Sequence, residues 1–194
     1  MKKIIAMLLA VMLVASMAAC GGNNATTTPT TTEAKVEVPA SALEILETVW
    51  GSYADDEKFF VFGGNMGENA VMDAPGVFDL IDTDGLTYTL LVPEDQAANI
   101  DDAASLVHGM LANNFTCGVF HVDGDVKAFA EAMKTAVTGN RWMCGMPEKL
   151  LISVVGGEYV LMAFGIGDAI NPFEAKLAAA YPAAEQLYFV DIVE

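Results

Sequence analysis

Residues 105–139, SLVHGMLANNFTCGVFHVDGDVKAFAEAMKTAVTG, decide the fold. Two apolar runs, Ser105–Leu111 and Phe115–Val122, flank the turn-forming Ala112-Asn113-Asn114 and read as a β-hairpin. Asp123 or Asp125 then caps a helix. Its apolar residues Val126, Phe129, Met133 and Val137 recur at helical spacing, and Gly139 stands at its C-terminal end. The pattern returns at Leu150–Val155 and Glu158–Phe164, a second hairpin around Gly156-Gly157, a pair suited to positive φ. The helix after it has Asn171 at the N-cap with Pro172 at its first position, or Asp168 at the cap with Pro172 inside the first turn. Phe120, Phe129 and Met133 stand 44 residues before Phe164, Phe173 and Leu177. The spacing predicts two ββα units. The expected fold is α+β, a mainly antiparallel sheet of four to five strands with helices packed on one face.

Working outward, Ser41 and Glu44 form a capping-box pattern, and Leu43, Leu46, Val49 and Trp50 make residues 42–53 an amphipathic helix. Phe59–Phe62 is a short strand. The stretch Gly63–Gly76 reads as a loop broken by Gly63-Gly64 and Pro75-Gly76. Its Met66 and Met72 suit a pocket wall or a partner contact. Leu86–Leu91 is read as helical, closed by Pro93, and Leu187–Val193 as the last strand. Residues 41–194 are long enough for one sizeable core and are expected to form a single domain.

Ahead of that domain, Lys2-Lys3 is followed by the apolar run Ile4–Val14 and then by small residues, the order of a secretory signal peptide. Met17-Ala18-Ala19-Cys20-Gly21-Gly22 resembles the lipobox of bacterial lipoprotein signals. The resemblance implies cleavage after residue 19 and a diacylglyceryl thioether on Cys20. Residues 20–40 carry six threonines between Thr26 and Thr32, with Pro29, and almost no large apolar side chains. Such a segment reads as a flexible tether, with a root-mean-square span of roughly 25 Å.

The chain of 194 residues has 26 acidic and 9 basic residues, a formal charge of −17. Removing Lys2 and Lys3 with the signal takes it to −19. Seven basic residues beyond Lys3, one of them an arginine, make no basic patch, which argues against a nucleic-acid partner. An acidic domain is also repelled by anionic headgroups, so the lipid rather than the protein surface is expected to hold the chain at the membrane. Hydrophobic residues at 54% exclude a disordered chain, and three cysteines exclude a disulfide-stapled mini-domain.

The candidate chemistry is sparse. If Asn113-Asn114 is a two-residue turn, Ala112 pairs with Phe115 and Met110 faces Cys117. His108, Met110, Cys117 and His121 then share one sheet face, and His108, Cys117 and His121 suit a soft metal, haem or redox centre. A three-residue turn separates that set. Cys117 and Cys144 each precede glycine; outside the reducing cytosol they suit a disulfide, or else they are inert buried thiols. Asp82-Thr83-Asp84-Gly85 hints at a calcium loop, but an EF-hand register puts Leu80 and Leu91 at the end ligand positions, so the match fails. Arg141, the sole arginine, sits beside Trp142 just past a helix. It suits helix-end compensation, packing on the indole or carboxylate binding. Signatures of serine hydrolases, zinc peptidases and phosphate loops are absent from the sequence.

The lipobox, the threonine-rich tether and the segments Phe115-Thr116-Cys117-Gly118 and Trp142-Met143-Cys144-Gly145 together resemble a family of small lipoproteins of Gram-positive anaerobes with no established activity. The resemblance implies a domain anchored on the outer face of the cell membrane and supplies no catalytic residues. The leading expectation is a non-catalytic module that binds a cell-envelope protein or a small ligand, with no cofactor beyond the lipid on Cys20. A metal- or haem-binding redox module and an extracytoplasmic hydrolase are the alternatives.

Overall fold

A computed structural model describes residues 38–193. The expected signal peptide, Cys20 with its expected acylation, and the Thr-rich part of the expected tether lie outside the described residues. Helix α1 (Ala42–Gly51) begins where the sequence places it. Ser41 Oγ accepts the Glu44 N–H at 3.1 Å, and Asp102 accepts the Ala42 N–H at 2.7 Å, so two orphan donors of the first turn are satisfied. The Glu44 carboxylate reaches back to the Ala40 N–H, one residue beyond the usual capping-box target.

The sheet has eight strands: β1 (Val61–Gly63), β2 (Val71–Met72), β3 (Gly76–Val77), β4 (Ile100–His108), β5 (Phe115–Val122), β6 (Lys149–Val155), β7 (Tyr159–Gly165) and β8 (Glu185–Asp191). The order is β2-β1-β4-β5-β7-β6-β8, antiparallel throughout, with β3 pairing β4 on the edge that β1 uses. Both expected hairpins are present and abut through β5 and β7. The sheet exceeds the expected four to five strands because β1 also joins it, at β4, and because the Gly63–Gly76 stretch, read as loop, supplies β2 and the start of β3. A helical turn does form near Leu86, as a π-helix over Gly85–Thr89 closed by Leu90 N–H on Gly85 O.

Helices cover both faces, not one. On one face Leu106, Phe115, Cys117, Val119, Leu151 and Leu161 pack beneath α1 and α3 (Gly167–Ala180). On the other, Phe120, Leu150, Ile152, Val160, Met162 and Phe164 pack beneath α2 (Val126–Thr138) and the residue 78–92 segment. The physical reason is visible in the strands themselves. Every residue of β7 is buried, as is every residue of β6 beyond Lys149, so neither strand has a polar face to offer water.

The same observation corrects the 44-residue repeat. Phe120 and Phe164 lie on one face of the sheet, but Phe129 and Met133 pack on that face while Phe173 and Leu177 pack on the opposite one. The connectivity ββα occurs twice, with its helices on opposite sides, so the two halves are not copies of one unit.

Helix starts also shift. Asp125, not Asp123, caps α2, accepting from the N–H groups of Lys127 and Ala128. Gly139 ends α2 at φ −90, so no left-handed residue is needed there. Helix α3 starts at Gly167, ahead of both sequence alternatives, because the Glu148 carboxylate accepts the Gly167 N–H at 2.7 Å. Pro172 falls inside α3.

Candidate functional site

The β4–β5 register decides the fate of the predicted metal set. Leu106 pairs with Cys117 and Val107 with Thr116, four positions away from the register that a two-residue turn dictates. The His108 ring peels the chain off the ladder, because its Nδ1 accepts from the N–H groups of Met110 and Leu111 at 3.1 and 3.3 Å. A 3₁₀ turn over Ala112–Asn114 then closes the connection. A shift of four preserves parity, so His108, Cys117 and His121 still share a face. They do not converge, since His108 lies opposite the Phe115 end of β5 and His121 six residues further on, roughly 20 Å away along the strand. Among the described residues no group of three His, Cys, Asp or Glu is placed to hold a metal ion.

Cys117 and Cys144 are both free thiols. Cys117 is fully buried against the α1–α3 layer, and burial pushes its pKa well up, so it stays neutral and unreactive. Cys144 is exposed, at φ +63, in the loop between α2 and β6. Met66 and Met72 are exposed near the β1–β2 edge. The Asp82 carboxylate accepts from Gly85 N–H and from Asn65 Nδ2, a turn-capping arrangement.

His121 lies at the far end of β5 between two carboxylates. Its Nδ1 pairs with Asp101 and its Nε2 lies 3.6 Å from Glu158, with the Tyr159 ring alongside at 4.9 Å. The Asp101 hydrogen bond, above all, raises the pKa of His121 from its usual 6.5. A raised folded-state pKa adds stability below the unfolded value, and that stability disappears as pH rises through the folded value. His121→Asn is therefore expected to melt closer to the wild type at pH 8 than at pH 5.5. Equal losses of Tm at both pH values would contradict it.

The most promising cavity is elsewhere. A half-open hollow of about 520 Å³ is lined by Thr138, Asn140, Arg141, Trp142, Gly145, Met146 and Val193. Thr138 ends α2, and the next wall is the loop that joins α2 to β6. A side chain from the β4–β5 connection holds that loop. Asn113 Nδ2 donates to the carbonyls of Met143 and Gly145, at 2.8 and 2.7 Å, clamping the turn on either side of Cys144. Gly145 takes φ +113, the left-handed side that only glycine adopts readily. The Trp142 ring packs on Phe164, with centroids 5.1 Å apart, and fixes the hollow to the sheet.

Two features of this hollow stand out electrostatically. All five described lysines lie within 4.0 Å of a carboxylate: Lys58, Lys127, Lys134, Lys149 and Lys176. Arg141 pairs with none among the described residues, although the chain has 26 acidic side chains. Nor does it make a cation–π contact with Trp142 among the described residues, where such contacts are made by Lys134 over Tyr188, Lys149 over Phe189 and Lys176 over Tyr53. The second feature is Trp142 Nε1, buried and without a hydrogen-bond partner among the described residues. An orphaned buried donor costs about 1–3 kcal/mol, and such groups in a folded protein call for an explanation. The hollow thus offers a guanidinium with no carboxylate partner among the described residues, beside apolar surface from Trp142, Met146 and Val193. A planar fork of N–H donors is suited to a carboxylate.

Of these residues, the sequence singled out Arg141 and Trp142 but not Asn113, whose clamp acts across 30 and 32 residues. The chain matches no protein-family model and has no significant match among curated proteins or solved structures.

Proposed function

We propose that this chain is a lipid-anchored, extracytoplasmic binding module whose site is the Arg141 hollow, and that the ligand presents a carboxylate on an apolar body. The observation that carries the binding reading is Arg141, on the wall of a cavity of about 520 Å³ and without a carboxylate partner among the described residues, where every described lysine has one. The volume lies within the roughly 300–1,000 Å³ typical of small-molecule sites. The guanidinium fixes the acid end, and Trp142, Met146 and Val193 take the apolar part. The anchor rests on the lipobox-like sequence ending at Cys20. No helix among the described residues is long and apolar enough to cross a membrane.

Both halves are testable. Thermal-shift titration with 4-methylpentanoate and indole-3-acetate, against their methyl esters, is expected to show binding of the acids alone. Arg141→Met should weaken it about tenfold or more, the scale of a charge-assisted contact. Acids that bind Arg141→Met as tightly as the wild type would remove the site. Cys20→Ser is expected to move the protein from the membrane fraction to the soluble one, and an unchanged distribution would remove the anchor.

A further inference from the structure

The sheet face beneath α2 carries apolar side chains beyond the part that α2 and the residue 78–92 segment cover. Phe164 of that face pairs with Thr116, Thr116 with Val107, Val107 with Phe62, and Phe62 with Met72. Directly opposed residues share a face, so Phe62 and Met72 continue the α2 side of the sheet out to its edge at β2. Neither belongs to either core, and nor does Phe60. Phe60 stands one step further along the ladder, where Gly109 N–H donates to Phe60 O at 2.8 Å. Its ring lies across that glycine, whose Cβ would stand 2.3 Å from Phe60 Cδ1, and meets the Phe62 ring edge-on with centroids 4.9 Å apart. Phe60 is 38% exposed and Met72 63%. Single exposed apolar side chains are ordinary, but a contiguous strip marks a contact surface, and methionine adapts to the shape of what it meets. The rim is acidic. Asp73 follows Met72, Glu68 lies in the β1–β2 connection, and both are exposed without a cation partner among the described residues. Lys58, the nearest lysine in the chain, is held by Asp55.

We infer that the Phe60, Phe62 and Met72 strip docks a partner protein through a basic amphipathic segment, its apolar side chains on the strip and its lysines or arginines toward Asp73 and Glu68. The strip shares no residue with the lining of the Arg141 hollow, so this is a second surface and not a part of the first. Charge selects the occupant. A formal charge of −17 repels a second copy of the chain and an anionic membrane alike, and it draws in a basic partner. The apolar strip holds what that field attracts, and the two carboxylates set its orientation.

The test uses the full processed chain carrying Cys20→Ser, so that no acyl group enters a vesicle or micelle. Fluorescence anisotropy at fixed ionic strength compares two labelled peptides of one apolar pattern, LKKLLKLLKKLLKL and LEELLELLEELLEL. The basic peptide is expected to bind and the acidic one to fail. Phe60→Gln combined with Met72→Gln should weaken the basic peptide about tenfold, the scale of losing central apolar contacts. Should that double variant melt early, Met72→Gln alone, at the more exposed position, is expected to weaken binding in the same direction. Asp73→Asn should weaken it about 2–5-fold, the scale of an exposed ion pair, and asparagine tolerates the φ of +58 found there. Phe189→Gln, at the opposite edge of the sheet and 37% exposed, should change nothing. Equal affinity for wild type and the strip variants would overturn the docking surface, since attraction to a generally acidic chain would then explain the binding. Acidic peptide bound as tightly as basic would overturn the charge selection. Strip-dependent binding to phosphatidylcholine vesicles without peptide binding would overturn the protein partner in favour of a membrane. Strip-dependent dimerisation in sedimentation, again without peptide binding, would overturn it in favour of a second copy.

Discussion

Gly165→Ala is expected to cost about 3 kcal/mol of stability and to abolish binding at the Arg141 hollow, although Gly165 does not line it. Gly165 closes β7 opposite Phe115 and Lys149. A Cβ there would stand 2.2 Å from Asn114 O, 2.8 Å from Asn114 C and 2.9 Å from Phe115 Cα. All three are backbone atoms, so no rotamer change relieves the overlap. The same carbonyl of Asn114 accepts the Ile166 N–H at 3.0 Å, and Gly165 O accepts the Glu148 N–H at 2.8 Å. Alanine must therefore push the 112–114 turn away. That turn carries Asn113, whose amide clamps the loop of the hollow. Overpacking costs about 1–3 kcal/mol and a broken hydrogen bond about 1 more. Gly51→Ala is the control, since its Cβ meets nothing within 4 Å and it lies at the C-terminal end of α1. Urea denaturation of both variants, with titration of 4-methylpentanoate, checks the pair. A Gly165→Ala protein as stable as the wild type would contradict the close approach.

The hairpins and α2 are legible in the sequence because their signals are local: a glycine pair at the β6–β7 turn, an aspartate cap, apolar residues at helical spacing. The Gly156-Gly157 turn does take positive φ at both glycines, 63 and 88. What was not legible depended on distant partners. The β4 strand begins at Ile100, five residues before the expected start, because Asp101 and Asp102 look like solvent-facing residues. In the fold Asp102 caps α1 and Asp101 binds His121. The hairpin register failed for a different reason. Counting residues between strands cannot foresee that His108 captures two N–H groups and lengthens the connection. The two-sided sheet was missed, since helices were expected on one face only, although LLISVV and YVLMAFG are runs without alternation that suit a strand covered on both faces. Arg141 was conspicuous as the sole arginine. That it has no carboxylate partner among the described residues is a property of three-dimensional placement, and no spacing rule reports it.

Phe115→Ala is expected to be the most damaging single core truncation, at about 3–5 kcal/mol. Phe115 is fully buried and joins three elements that share no strand pairing with one another. Its ring meets Phe59, ahead of β1, with centroids 5.3 Å apart, and Phe173 of α3 at 5.2 Å, both edge-on. Phe59 in turn packs edge-on against Trp50 of α1 at 5.3 Å and stacks on His108 at 5.5 Å. Removing the central ring leaves a void that these neighbours cannot fill, since each is tied to a different element. The loss has an energetic part from transfer and a further part from the unfilled cavity. Phe189→Ala on the edge strand β8 makes the contrast. That ring is 37% exposed and is expected to cost roughly 1 kcal/mol or less. Phe115→Leu keeps most of the volume and should lose under about 1.5 kcal/mol. If Phe115→Ala and Phe189→Ala unfold at the same urea concentration, the aromatic cluster does not join α1, β5 and α3. Because Phe115 directly follows Asn114, a destabilised Phe115→Ala protein should also loosen the Asn113 clamp. Ligand affinity should then fall in the order wild type, Phe115→Leu, Phe115→Ala, tracking core stability and not any change in the hollow's own side chains.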